Sequence, residues 1–112
     1  MRIEVRGHGF EIERELSGYA ERRLLFALTR FSRRIEVIRA RLSDMNGPRG
    51  GVDKECRLAA VVAPVGEILV VERDADMRAA IDLGADRLAR AVARKVGRRR
   101  SRPRVPARNA GS

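Results

Sequence analysis

Apolar and polar residues alternate at the start of the chain, where Ile3 and Val5 lie between Arg2, Glu4 and Arg6. A period of two predicts a short half-buried strand over residues 2–6, ended by Gly7-His8-Gly9. The period then lengthens. From Glu13 to Phe31 apolar side chains recur at Leu16, Ala20, Leu24, Ala27, Leu28 and Phe31, the spacing that lays one stripe along a helix. Phe26 and Phe31 fall inside that helix and are expected to serve its core.

Residues 35–44 return to alternation, with Ile38, Ala40 and Leu42 on one face and Ile35, Val37, Arg39 and Arg41 on the other. This second strand therefore has a partly basic outer face. Asn46-Gly47-Pro48-Arg49-Gly50-Gly51 is dense in turn-forming residues and reads as a hairpin connection. A third strand places Cys56, Leu58, Ala60 and Val62 on one face, Pro64-Val65-Gly66 breaks it, and Ile68–Glu72 form a fourth. After Asp74 and Asp76, either of which can cap a helix, Met77, Ile81, Gly84, Leu88, Val92 and Val96 recur every three to four residues. The second helix is expected to end near Val96, and Gly84 on its apolar stripe predicts a close approach to a neighbouring element.

The order β-α-β-β-β-α predicts an α+β fold. Its second to fourth strands form an antiparallel meander, and a four-stranded sheet carries both helices on one face, in the manner of a double-stranded-RNA-binding domain. Residues 1–96 make one domain. Residues 97–112 hold six Arg, two Pro and no acid, so they cannot build a core and are expected to form a disordered basic tail.

Charge sharpens this picture. Twenty-five Lys and Arg against fifteen Asp and Glu give the 112-residue chain a formal net charge of +10, a field that attracts polyanions. Leaving out the tail still leaves the remainder positive. No apolar run is long enough to span a bilayer and the first residues lack a signal-peptide core, so the chain reads as cytoplasmic, with no membrane partner. A single Cys and a single His supply neither a disulfide nor a zinc ligand set. Cys56 on an apolar strand face reads as an inert buried thiol and His8 as a loop residue. The Asn46–Gly51 glycines lack the Lys-Ser/Thr and the following helix of a phosphate-binding loop. Neither an enzyme activity, a cofactor, a metal nor a small-molecule substrate is expected.

The candidate chemistry is cationic. Arg87, Arg90, Arg94 and Arg98 are spaced to form one row on the second helix, opposite its apolar stripe, with Lys95 beside them and Asp82 and Asp86 as the only nearby acids. The first helix adds Arg22, Arg23, Arg30, Arg33 and Arg34. Two helices on one sheet face would put guanidinium groups on both walls of a groove suited to phosphates. The plainer alternative is a solvated face in which Glu13, Glu15 and Glu21 pair with some of these arginines. With three Phe, one Tyr and no Trp, recognition of RNA phosphates and shape is favoured over an aromatic stacking platform.

Asp76-Met77-Arg78-Ala79-Ala80-Ile81-Asp82 followed by Asp86-Arg87-Leu88-Ala89-Arg90 resembles the second helix of the ribosome hibernation promoting factor family (HPF/RaiA, the sigma-54 modulation proteins). Glu21-Arg22-Arg23-Leu24, the order of elements, and Asn46 to Lys54 extend the resemblance, the last to a divergent branch. It covers residues 1 to about 96. Arg78 stands where the family usually has Tyr, and the basic tail replaces the dimerisation domain of long members, which makes this a short form. The resemblance implies binding to the small ribosomal subunit and its ribosomal RNA, in the channel used by messenger RNA and transfer-RNA anticodon stems, so that idle ribosomes are stabilised and cannot translate. The family's basic positions match Arg23, Arg87, Arg90, Arg94 and Lys95, with Lys54 and Arg57 as weaker candidates. Two other functions fit the charge: a general RNA or DNA chaperone acting by counterion release, and a regulator that engages an acidic protein through Arg39, Arg41 and Arg57 on the outer sheet face.

Overall fold

A computed structural model describes residues 1–45 and 53–101, with residues 98–101 described by their backbone alone. The hairpin connection Asn46–Gly51 and the tail beyond Ser101 lie outside the described residues. Four strands, β1 (Arg2–His8), β2 (Ile35–Asp44), β3 (Lys54–Val62) and β4 (Gly66–Asp74), form one sheet in chain order. Helix α1 (Arg14–Leu28) crosses from β1 to β2, which pair in parallel, and β2, β3 and β4 form the expected antiparallel meander. Helix α2 (Met77–Ser101) closes the order β-α-β-β-β-α.

The alternation read from the sequence decides which side of the sheet is covered. Ile38, Ala40 and Leu42 of β2 and Cys56, Leu58, Ala60 and Val62 of β3 join Leu24 and Leu28 of α1 and Ile81, Leu88 and Val92 of α2 in one buried cluster. Full burial of each such Leu, Ile or Val contributes about 1.5–3 kcal/mol. Both helices therefore pack on one face and leave the other open. One strand position departs from simple alternation. The β2–β3 register shifts between Ile35 and Val37, and this bulge turns Ile35 into the core although its parity with Arg39 and Arg41 predicted the outer face.

Boundaries moved for local reasons. β1 continues to His8, and Gly9 then takes a left-handed φ of 83° that ends the strand. The first helix keeps α geometry only to Leu28, and its last turn, Thr29–Phe31, tightens to a 3-10 turn. Asp76 caps α2, its carboxylate accepting the Arg78 N–H at 3.4 Å. The second helix runs five residues beyond Val96, to Ser101. The apolar stripe ends at Val96, whereas arginine is a good helix former and carries the backbone further. The close approach expected at Gly84 is made to β3: a Cβ there would lie 3.1 Å from Leu58 Cδ1 and 3.5 Å from Cys56 Sγ. Burial pushes the Cys56 thiol up to about 12, as befits an unreactive core group.

Candidate nucleic-acid interface

The two helices lie side by side in parallel. Tyr19 Oη donates to Asp82 at 2.6 Å and Arg23 Nη2 to Asp86 at 2.7 Å, each pair separated by 63 residues. The same offset recurs where Arg30 and Arg34 line one cleft with Ala93 and Gly97. Equal steps along both chains mean equal direction, so both C-terminal ends lie at one end of the molecule.

At the N-terminal end the seam is closed. Arg23 donates to Asp82 at 3.1 Å as well as to Asp86, and Arg78 stacks 4.5 Å above the Tyr19 ring. The hydrogen bond that Arg23 donates to Asp86 raises the Arg23 pKa, and acceptance by Asp82 raises that of the Tyr19 phenol. Asp82 and Asp86 thus serve Arg23 of the other helix and not the row on α2, while Glu13, Glu15 and Glu21 make no ion pair among the described residues.

Toward the C-terminal end the seam opens into a cleft of about 380 Å³ lined by Arg30, Phe31, Arg34, Ala93, Val96 and Gly97. Arg30 lies 4.8 Å over the Phe31 ring. Between Glu21 and Glu36, and on α2 after Asp86, no acidic residue occurs. Arg90, Arg94 and Lys95 are exposed and have no acidic partner among the described residues. Arg22 is exposed as well and lies back over Gly18.

The remaining predicted positions do other work. Arg87 keeps its place in the row but ties α2 to β4, donating to Glu72 at 2.9 Å and to the Val71 carbonyl at 3.2 Å. Lys54 sits at the base of the β2–β3 hairpin, 3.1 Å from Asp44 and 3.2 Å from the buried Asp53, and its pKa is raised chiefly by the Asp44 hydrogen bond. Arg57 is on the open face of the sheet, alternating with inward Cys56 and Leu58, so it cannot share a groove with the helices. The backbone of Arg98 continues α2 on the outer row, and its side chain is outside the described residues.

Phe26 was expected in the core and is instead 84% exposed. Leu24, Ala27 and Leu28 already fill the face turned to the sheet and to α2, and Phe26 is rotated away from it. It follows Arg22 and Arg23 by one helical turn and precedes Arg30 by another. Phase around the helix was the available signal: Phe26 lies off the stripe that Leu24 and Leu28 define.

Among the described residues no group of metal-ligating side chains and no helix long and apolar enough to cross a membrane occurs. The family model of the sigma 54 modulation protein / S30EA ribosomal protein matches residues 3–100. The N-terminal domain of Protein Y from Thermus thermophilus superposes with a TM-score of 0.68 at 29% identity, over 84% of this chain and 98% of that one. A ribosomal subunit interface protein from Coxiella burnetii has the same fold, with a TM-score of 0.71 at 20% identity over 87% and 99% of the two chains. No curated protein sequence matches the chain significantly.

Proposed function

Since the chain belongs to the sigma 54 modulation protein / S30EA ribosomal protein family, we propose that it binds the small ribosomal subunit through ribosomal RNA and occludes the messenger-RNA and transfer-RNA channel. The observation that carries this reading is the acid-free, open end of the helix pair. There Arg30 and Arg34 line the cleft, and Arg90, Arg94 and Lys95 stand exposed on α2, with no acidic partner among the described residues. The guanidinium groups of Arg30 and Arg34 on one wall of the cleft, and the exposed cations of α2 outside it, pair with phosphate oxygens, and displacement of condensed cations from RNA supplies much of the binding free energy. Arg22 and Arg87 extend the surface along the same helices. The Phe26 ring, exposed among arginines, offers one face on which an unpaired base can stack. Function then follows from occupation: a chain wedged between RNA walls excludes messenger and transfer RNA with no bond made or broken, and the idle ribosome is held in that state.

Sedimentation with purified small subunits through a sucrose gradient, at physiological salt and with excess transfer RNA, tests the proposal. The full chain is expected to travel with subunits despite the competitor. Complete displacement by transfer RNA would instead identify a general polyanion binder.

A further inference from the structure

The face of the sheet turned away from the helices carries a second cationic feature. Arg6 of β1 is the register partner of Arg41 of β2, and Arg41 is the partner of Arg57 of β3. Three guanidinium-bearing residues thus stand side by side across three strands, in a row about 10 Å long at the usual strand spacing. Like charges directly opposed destabilise a sheet. Local acids do not remove the conflict: Glu4 is shared by Arg2 and Arg39, and Glu55 by Arg57 and Arg73. Arg6 and Arg41 are left with no acidic partner among the described residues, and the Arg57 Nε is buried without a hydrogen-bond acceptor.

The neighbouring register row runs Glu4, Arg39, Ala59 and Leu69. Leu69 is 55% exposed there. These two rows line a shallow cavity of about 230 Å³, cationic along Arg6, Arg41, Arg57 and Arg39, with Glu4 held by Arg2 and Arg39 at its β1 edge, and apolar at Ala59 and Leu69.

We infer that this open face is a second RNA site, which takes a single-stranded segment with its phosphates along Arg6, Arg41 and Arg57 and its sugars and bases over Ala59 and Leu69. The face carries no aromatic residue, so it reads backbone and shape and not base identity. The inference rests on the reading that the helix face meets ribosomal RNA, and it adds that the domain has RNA on both sides of its slab. An acidic protein segment is the competing occupant. The paired cationic and apolar halves of the cavity favour a nucleotide chain, which presents a phosphate and a flat apolar surface in every unit.

The test is a titration of the ¹⁵N-labelled full chain with a short oligouridylate, followed by NMR, alongside the double variant R6Q/R41Q. Backbone amides of Arg41, Arg57 and Leu69 are expected to shift together with those of α2. In R6Q/R41Q the sheet shifts should vanish while the helix shifts persist. Affinity for oligouridylate should fall about tenfold, and the slope of log affinity against log salt should shrink by about 1.4, or 0.7 for each lost phosphate contact. Because the substitutions remove like-charge opposition, the melting temperature should hold or rise, which separates lost binding from lost folding. Shifts confined to the helices overturn the inference. Sheet shifts produced by polyglutamate but not by oligouridylate also overturn it and assign the face to an acidic protein. The helix reading is judged separately, by whether R90E/R94E still sediments with small subunits.

Discussion

The two halves of the helix seam have the same backbone arrangement and opposite electrostatics. Near the start of α2, Arg23 is held between Asp82 and Asp86 and covered by a Tyr19–Arg78 stack. Further along, cations on both helices face no acid at all. The difference shows how a small basic domain can be both stable and adhesive. Specific ion pairs fix the helix offset at one end, and apolar contacts of Leu28, Val92 and Val96 suffice to hold the other. Arg30, in the last turn at the end of the first helix, is also favoured by the negative end of that helix's dipole, by about 0.3–1 kcal/mol.

Reversing the open end gives the largest effect. R90E/R94E should lower affinity for small subunits at least 100-fold, since two charge-assisted phosphate contacts are together worth about 3 kcal/mol or more. Its melting temperature should not fall, because neither side chain has an acidic partner among the described residues. Retained sedimentation of the folded variant would place the site elsewhere. At the closed end, R23M keeps the apolar stem and removes the clamp. Arg23 is 24% exposed but its aspartates are 41% and 53% exposed, so solvent screening limits the loss in urea unfolding to about 1–2 kcal/mol. The salt slope of RNA binding should stay as it is. A slope smaller by about one would show that Arg23 contacts phosphate after all.

Most of the fold was legible in the sequence because periodicity reports burial. The alternation of Cys56, Leu58, Ala60 and Val62 and the stripe from Met77 to Val96 each specified a face, and the core contains them. What periodicity could not report was a local change of phase, as at the Ile35–Val37 bulge, or helix that continues past the last residue of the apolar stripe, as from Gly97 to Ser101. The candidate site was legible by composition but not by pairing. Spacing along α2 put Arg87 and Arg90 in one row, yet only the tertiary offset assigns Asp82 and Asp86 to Arg23, and only the sheet assigns Glu72 to Arg87. Alternation with Cys56 and Leu58 already put Arg57 on the outer face of the sheet, and what only the register supplies is its neighbour there, Arg41. Phe26 was read from its residue type, whereas its phase on α1 exposes it.

Phe26 sharpens the comparison more gently, because it lies where the paired half of the seam gives way to the open half. A stacked base is worth about 1–3 kcal/mol, so F26A should weaken subunit binding at least about fivefold. Burial is nearly absent at this position, so the melting temperature should be unaffected. Equal binding by F26A would mean that the ring faces solvent in the complex too.

The smallest effect is a titration confined to the closed half. Tyr19 is the chain's single tyrosine and there is no tryptophan, so near-ultraviolet absorbance reports its ionisation alone. Its phenol donates to Asp82, which raises the folded pKa above the ordinary 10.0. A group whose pKa is raised by folding contributes stability that is complete below the unfolded value and is lost as pH climbs through the folded one. Stability from this contact should therefore be constant through neutral pH and begin to fall only above about pH 10. D82N should lower the phenol pKa, since an amide oxygen is a weaker acceptor than a carboxylate and no longer opposes a phenolate charge. A wild-type phenol that titrates no higher than in D82N would show that the seam is open in solution at both ends, and the contrast between its halves would disappear.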